Sequence, residues 1–269
     1  MLTRRLYALP YLLLLALMVG WPLASIVAGS FKEGAPLEHY AYILGSRFYT
    51  RAFWVTLQLS VLTTLIGLAV AVVVAIVLRV RSAGLTMAAL TIGNIGANFA
   101  GVPSVLAFMI LLGSNGVVTR LMQDIGLMQG FDLYSWGGLV ITYLFFQIAI
   151  GIVLVLPAIA SVPRDIEEAA DLLGQGGARF WRRVGLPTVS RQLIAIATLL
   201  FANAMGTYAT AYTLMGTSAQ IVTVRIGELV AGDVFTEPGL ANALSVCLLA
   251  VLILPILVTQ SLAARRGRS

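Results

Sequence analysis

Long apolar runs constrain this chain more than any other feature. They recur at Leu6–Ala28, Ala52–Leu78, Leu85–Leu112, Trp136–Ile159, Gln192–Leu214 and Leu240–Leu262. About 20 apolar residues wound as an α-helix cross the roughly 30 Å hydrocarbon core of a bilayer. Each run is long enough to do so, which predicts an all-α membrane protein with six transmembrane helices and a single domain over residues 1–269. Pro103 interrupts the third run and is expected to kink it.

Only 10% of the residues are charged and 59% are hydrophobic. Soluble domains carry about 25% charged residues, so a soluble fold is excluded. The net charge of +6 does not point to nucleic acid, because the arginines stand at the ends of apolar runs rather than on one polar face. Cys247 is the single cysteine and lies inside an apolar run, which excludes an intrachain disulfide and CxxC chemistry. Lys32 is the only lysine, so no Gly-Lys-Ser/Thr phosphate loop exists and the chain does not bind ATP by that route. The first 30 residues resemble a signal peptide, with Arg4 and Arg5 before an apolar run. That run exceeds the usual apolar region and no clear A-x-A site follows, so an uncleaved first helix is expected.

Basic residues set the expected orientation. With the N-terminus inside, Arg4, Arg5, Arg79, Arg81, Arg164, Arg179, Arg182, Arg183, Arg191, Arg265, Arg266 and Arg268 face the cytoplasm. Lys32, Arg47, Arg51, Arg120 and Arg225 face outward, a bias of 12 to 5. Both termini are then cytoplasmic, which requires an even number of spans. Outside, residues 30–51 hold several aromatic residues suited to the headgroup level, residues 114–135 read as a loop with a short helix near Val117–Ile125, and residues 216–237 as a short surface helix. His39 is the only histidine, and a surface role suits it better than metal ligation. Arg225, Glu228 and Asp233 read as a solvated external face, with docking of a partner as the alternative.

One charged segment stands between the fourth and fifth runs. Four acids and four arginines fall between Arg164 and Arg183. Pro163 suits the start of a helix. Asp165, Glu167 and Glu168 follow in its first turns, where negative charge favours the helix dipole. Ala169 and Ala170 keep the helix thin, and Gly174 suits a left-handed end. A second, basic helix is expected around Ala178–Val184, with Pro187 marking entry to the fifth span. Spacing alone is equally compatible with an ordinary solvated helix pair in which Gly174 is a plain cap.

Taken as a motif, Glu168-Ala169-Ala170, Leu173-Gly174, Phe180 and Val184-x-Leu186-Pro187 resemble the EAA loop of permease subunits in binding-protein-dependent ABC importers. Residues 100–125 and 201–216 are similar to the polyamine, opine and phosphonate branch of that family. Gln175 and the Gly176-Gly177 pair depart from the usual pattern and affect the expected shape of the elbow. The resemblance implies a type I importer permease fold in a bacterial inner membrane. It implies four kinds of partner: cytoplasmic ABC ATPase subunits, a second permease subunit, an extracytoplasmic solute-binding protein and the lipid bilayer. No cofactor of its own is implied, since ATP is bound by the ATPases, and the chain is not itself an enzyme. Glu167, Glu168, Ala169, Ala170, Gly174, Leu186 and Pro187 match the coupling positions, Glu168 being the carboxylate that pairs with a basic residue of the ATPase. A polyamine or phosphonate-like solute is the substrate class that the branch suggests.

Polar residues inside the runs are candidates for the translocation pathway: Asn94, Asn98, Gln147, Asn203, Thr207, Tyr208 and Thr210. Asn203, Thr207 and Thr210 share one face of a continuous helix, and Tyr208 is offset from it. Interhelical hydrogen bonding is the other reading of such groups. The rivals to a permease are an autonomous secondary transporter, a passive pore and an intramembrane enzyme. No ionisable group lies within runs two to six, and neither HExxH nor GxSxG occurs.

Overall fold

The computed structural model describes residues 10–266 except 12, 33, 127–129 and 232–236, with side chains described to residue 257. Arg4, Arg5, Arg268 and Asp233 therefore lie outside the described residues, as do the side chains of Arg265 and Arg266. Among the described residues all regular structure is helical, apart from an isolated bridge between Lys32 and Ala35.

In chain order the helices are α1 (Leu13–Gly29), α2 (Glu38–Gly45), α3 (Arg47–Arg79), α4 (Ala83–Asn98), α5 (Val102–Leu112) and α6 (Val117–Asp124). They continue with α7 (Trp136–Ala160), α8 (Arg164–Leu172), α9 (Ala178–Gly206), α10 (Ala209–Met215), α11 (Val222–Ala231) and α12 (Pro238–Arg266). Among the described residues, five stretches are long and apolar enough to cross a membrane: Arg47–Arg79, Val102–Asp124, Trp136–Ala160, Ala178–Gly206 and Pro238–Leu257. The first predicted run is represented by a shorter apolar helix, Leu13–Gly29, and its beginning lies outside the described residues. The short helices expected at 117–125 and within 216–237 are present as α6 and α11.

Two predicted spans are broken. The third divides into α4 and α5 around Gly101, whose φ of 87° and ψ of −143° are open to glycine and strained for other residues. Pro103 then lies in the first turn of α5, where its missing N–H leaves no bond unmade. Pro103 thus starts a helix instead of kinking one. The fifth span ends at Gly206, with Thr207 extended at ψ 112°, before α10 begins. The Thr207 hydroxyl donates to the Asn203 carbonyl at 2.6 Å, and the Tyr143 hydroxyl donates to the Thr207 carbonyl at 3.1 Å, so carbonyls freed by the break are satisfied.

The chain divides into two compact units. The first comprises residues 1–54 and 220–253. Its core is Ile43, Tyr49, Leu240, Ala243 and Leu244, with Cys247 packed alongside. Arg225 is buried there, paired with Glu228 at 2.6 Å and set over the Phe48 ring at 4.5 Å. It is therefore not part of a solvated face, because the ion pair and the ring replace its water. The half-buried His39 ring lies against Gly239 closely enough that a Cβ there would come within 2.7 Å of Nε2.

The second unit comprises residues 55–219 and 254–269. Small residues let its helix backbones approach. A Cβ on Gly96 of α4 would meet the Ala149 methyl of α7 at 2.8 Å, and one on Gly151 would meet the Ala71 methyl of α3 at 3.0 Å. Toward one end of α3, α7 and α9 the core is Ala75, Val155, Ile159, Phe180, Trp181 and Val189. The charged loop is mounted on this cluster.

Candidate functional site

Helix α8 forms where Pro163, at φ −61° and ψ 138°, turns the chain out of α7. Asp165 and Glu167 occupy its first turn. Its end is a Schellman motif: the Gly174 N–H donates to the Asp171 carbonyl at 3.0 Å, and the Gln175 N–H to the Ala170 carbonyl at 2.8 Å. Gly174 takes φ 68°, as its expected role at the helix end requires. Gly177 is also left-handed, at φ 62°, and opens α9. The elbow thus uses two left-handed glycines. Arg179 and Arg183 close it with bonds to the Gly174 carbonyl and the Gln175 amide.

Pro187 does not interrupt the exit from the loop. Helix α9 runs through it, with Trp181–Gly185 wound as a π-turn in which the Leu186 N–H donates to the Trp181 carbonyl. Gly185 lets the Trp181 ring lie flat on the helix, since a Cβ there would come within 2.5 Å of the ring. Phe180 and Trp181 are buried and meet edge to face at 5.5 Å. Leu186 packs on the same cluster, while Pro187 is exposed.

Arg79, the last residue of α3, fastens α8 to this base. Its Nε donates to Glu167 Oε2 at 2.8 Å, and its two terminal nitrogens donate to the Ile159 and Val162 carbonyls at 2.7 and 2.6 Å. The guanidinium also faces the Trp181 ring at 5.5 Å. The Arg79 side chain is only 7% exposed, so its charge is compensated in place. The carbonyls it binds close the C-terminal end of α7, where a cation also favours the helix dipole. Sequence reasoning counted Arg79 only toward orientation. Its one signal, a guanidinium ending an apolar run opposite an acid-rich loop, carries no register across 88 residues.

The two loop glutamates therefore differ in pairing and exposure. Glu167 and Ala170 turn inward, onto Arg79 and the core cluster respectively. Glu168 is exposed and forms no ion pair among the described residues. Ala169 is exposed beside it, and Leu172 and Leu173 are 89% and 78% exposed. An exposed carboxylate thus stands beside two exposed leucines at the end of α8.

The pathway candidates divide. Gln147 is fully buried and donates to the Leu200 carbonyl at 2.9 Å and to Thr64 Oγ1 at 3.3 Å, while its oxygen accepts from Asn203. Gln147 and Asn203 are thus brought together, as a bond between α7 and α9. Thr207 bonds back to Asn203, but the break beyond Gly206 removes the continuous helix on which Asn203, Thr207 and Thr210 were expected to share a face. Thr210 is fully buried, and its hydroxyl has no hydrogen-bond partner among the described residues. Tyr208 stacks on Tyr212 at 5.1 Å and is part exposed. Asn98 is exposed and donates to the carbonyl of Asn94 in its own helix, apart from the others.

A family model described as "binding-protein-dependent transport system inner membrane component" matches residues 87–268. The thiamine transport permease ThiP of Salmonella typhimurium is 27% identical over 164 residues, 60% of this chain but 30% of the relative. The sulfate transport permease CysW of Synechococcus elongatus is 28% identical over 203 residues, 73% of this chain and 67% of the relative. The match thus spans less than a third of the thiamine permease. Among solved structures, a chain of a bacterial alginate ABC transporter in complex with an alginate-bound periplasmic protein superposes with a TM-score of 0.79 at 20% identity, over 98% of this chain and 95% of that one. A chain of the MetNI methionine ABC transporter gives 0.57 at 20% identity, over 85% and 98%.

Proposed function

Because this chain belongs to the family of binding-protein-dependent transport system inner membrane components, we propose that it is the membrane-spanning translocation subunit of an ATP-driven importer. The observation that carries this reading is the division of labour on α8. Its inner face is locked to the membrane helices through Arg79–Glu167, while its outer face offers Glu168, Leu172 and Leu173 uncovered. A rigidly mounted helix with an unpaired outer surface suits the transfer of motion from a partner that hydrolyses ATP, and a rigid-body switch between inward- and outward-open states follows.

In this reading both termini and the charged loop are cytoplasmic, supported by the 12-to-5 distribution of basic residues, and the N-terminal apolar run completes six spans. The coupling set in this reading is Glu167, Glu168, Ala169, Ala170, Gly174, Leu186 and Pro187, and Arg79 is proposed alongside them because it anchors Glu167. A second permease subunit completes the pathway, and an extracytoplasmic binding protein delivers the solute. The thiamine and sulfate names of the relatives lend no support to a polyamine or phosphonate solute, which rests only on the likeness of residues 100–125 and 201–216. Gln147 and Thr210 are the fully buried pathway candidates, and the exposed Asn203 is tied to Gln147 by a hydrogen bond.

The test is affinity purification of the tagged chain from solubilised membranes, with the accompanying subunits identified by mass spectrometry. Recovery of an ATPase and a second permease supports the proposal. Recovery of a stable chain alone favours an autonomous pore.

A further inference from the structure

A groove of about 550 Å³ opens beside the charged loop in the second unit, between the ends of α3, α4 and α7. Its walls are apolar, formed by Ala75, Leu78, Met87, Leu90, Val153 and Leu156 among others. Its mouth carries Arg79, Arg81 and Arg164 and no carboxylate. Arg79 is already neutralised by Glu167, whereas Arg81 and Arg164 are exposed and form no ion pair among the described residues. A polar cavity of about 400 Å³ adjoins the mouth, shares these arginines and adds Glu167, Glu168 and Asp171, yet neither Glu168 nor Asp171 comes within ion-pair distance of Arg81 or Arg164. Around the groove Val77, Val80, Leu85 and Met87 are 48%, 75%, 53% and 67% exposed. Apolar side chains exposed at and beside the end of a stretch long enough to span a bilayer suit contact with lipid.

We propose that this groove binds one acyl chain of an anionic phospholipid, with the lipid phosphate held by Arg81 and Arg164. An apolar slot ending in two guanidiniums that have no ion-pair partner among the described residues matches a molecule that is apolar along its length and anionic at one end. Basic pockets between membrane helices favour anionic headgroups for the same reason, and guanidinium forms paired hydrogen bonds to phosphate. A zwitterionic lipid brings its own cation to the mouth and fits less well. The proposal depends on neither the transported solute nor the partner subunits, so it stands or falls separately from the importer reading.

The test uses the full chain, purified in mild detergent with any subunits that accompany it. Native mass spectrometry compares retention of phosphatidylglycerol and phosphatidylcholine with identical acyl chains. Phosphatidylglycerol is expected to be retained preferentially. The Arg81→Gln/Arg164→Gln double variant is expected to lower its retention roughly 25-fold, about fivefold per charge, and to leave phosphatidylcholine unchanged. Equal retention of the two lipids by the native chain, or unchanged phosphatidylglycerol retention by the double variant, overturns the proposal. A Met87→Trp variant supplies a second reading with both arginines in place. Its fluorescence is expected to be quenched more by acyl-brominated phosphatidylglycerol than by brominated phosphatidylcholine at equal mole fraction. Equal quenching marks ordinary surrounding lipid, and protection from both marks a protein segment in the groove; either result overturns the site.

Discussion

Arg79 and Glu167, separated by 88 residues, meet at 2.8 Å and lock the first helix of the charged loop to the end of a membrane helix. The same guanidinium binds two carbonyls at the end of α7, so one side chain holds three helices in a fixed relation. The adjacent Glu168 is left outside this arrangement.

Arg79→Met is expected to destabilise the protein by about 3 kcal/mol or more, because it strands a partly buried carboxylate and two carbonyls. Glu167→Gln is expected to cost less, about 1–2 kcal/mol, since the amide oxygen still accepts from Arg79. Thermal unfolding of the purified protein checks both. The Arg79→Met/Glu167→Met double variant is expected to recover part of the loss, and strictly additive effects argue against a coupled pair.

Glu168→Lys is expected to leave stability within about 0.5 kcal/mol, as an exposed site should. It is expected to abolish solute uptake and co-purification of the ATPase. Intact uptake with a normal complex removes Glu168 from the coupling surface.

Gly174→Val is expected to impair uptake through backbone strain alone. Nothing lies within 4 Å of a Cβ at Gly174, but its φ of 68° is costly for a β-branched side chain, on the order of 1–3 kcal/mol. Asn tolerates this conformation, so Gly174→Asn is expected to retain most of the uptake. Equal uptake by both variants shows that the bend is not needed.

Gln147→Leu tests structural bonding against a role in the pathway. The lost bonds to Leu200, Thr64 and Asn203 predict destabilisation of about 1–2 kcal/mol. A change in the uptake KM well beyond the fall in folded protein assigns Gln147 to the pathway. A proportionate fall in uptake with unchanged KM assigns it to helix bonding.

The helices and the elbow were legible in the sequence for different reasons. Apolar length identifies a bilayer-spanning helix because thickness is the only requirement, and Trp136–Ala160 follows closely from its run. Pro163 and Gly174 mark local backbone events, and both occur where expected. The breaks at Gly101 and Thr207 were not legible, because glycine and threonine are ordinary residues inside membrane helices and their conformations are decided by neighbours such as Tyr143. The inward turn of Glu167 was hidden because Glu167 and Glu168 are chemically alike. Only the distant Arg79 distinguishes them.

The π-turn at Trp181–Gly185 has a further consequence. Each residue of an α-helix advances the chain by about 100° around its axis, and a π-turn accommodates one residue beyond the α count. The turn therefore holds a spare residue without altering the angular phase between the loop and the membrane-embedded length of α9. Losing one residue within it would return the turn to plain α-helix and keep that phase, whereas losing one from the regular helix beyond it would redirect the elbow by about a quarter of a revolution.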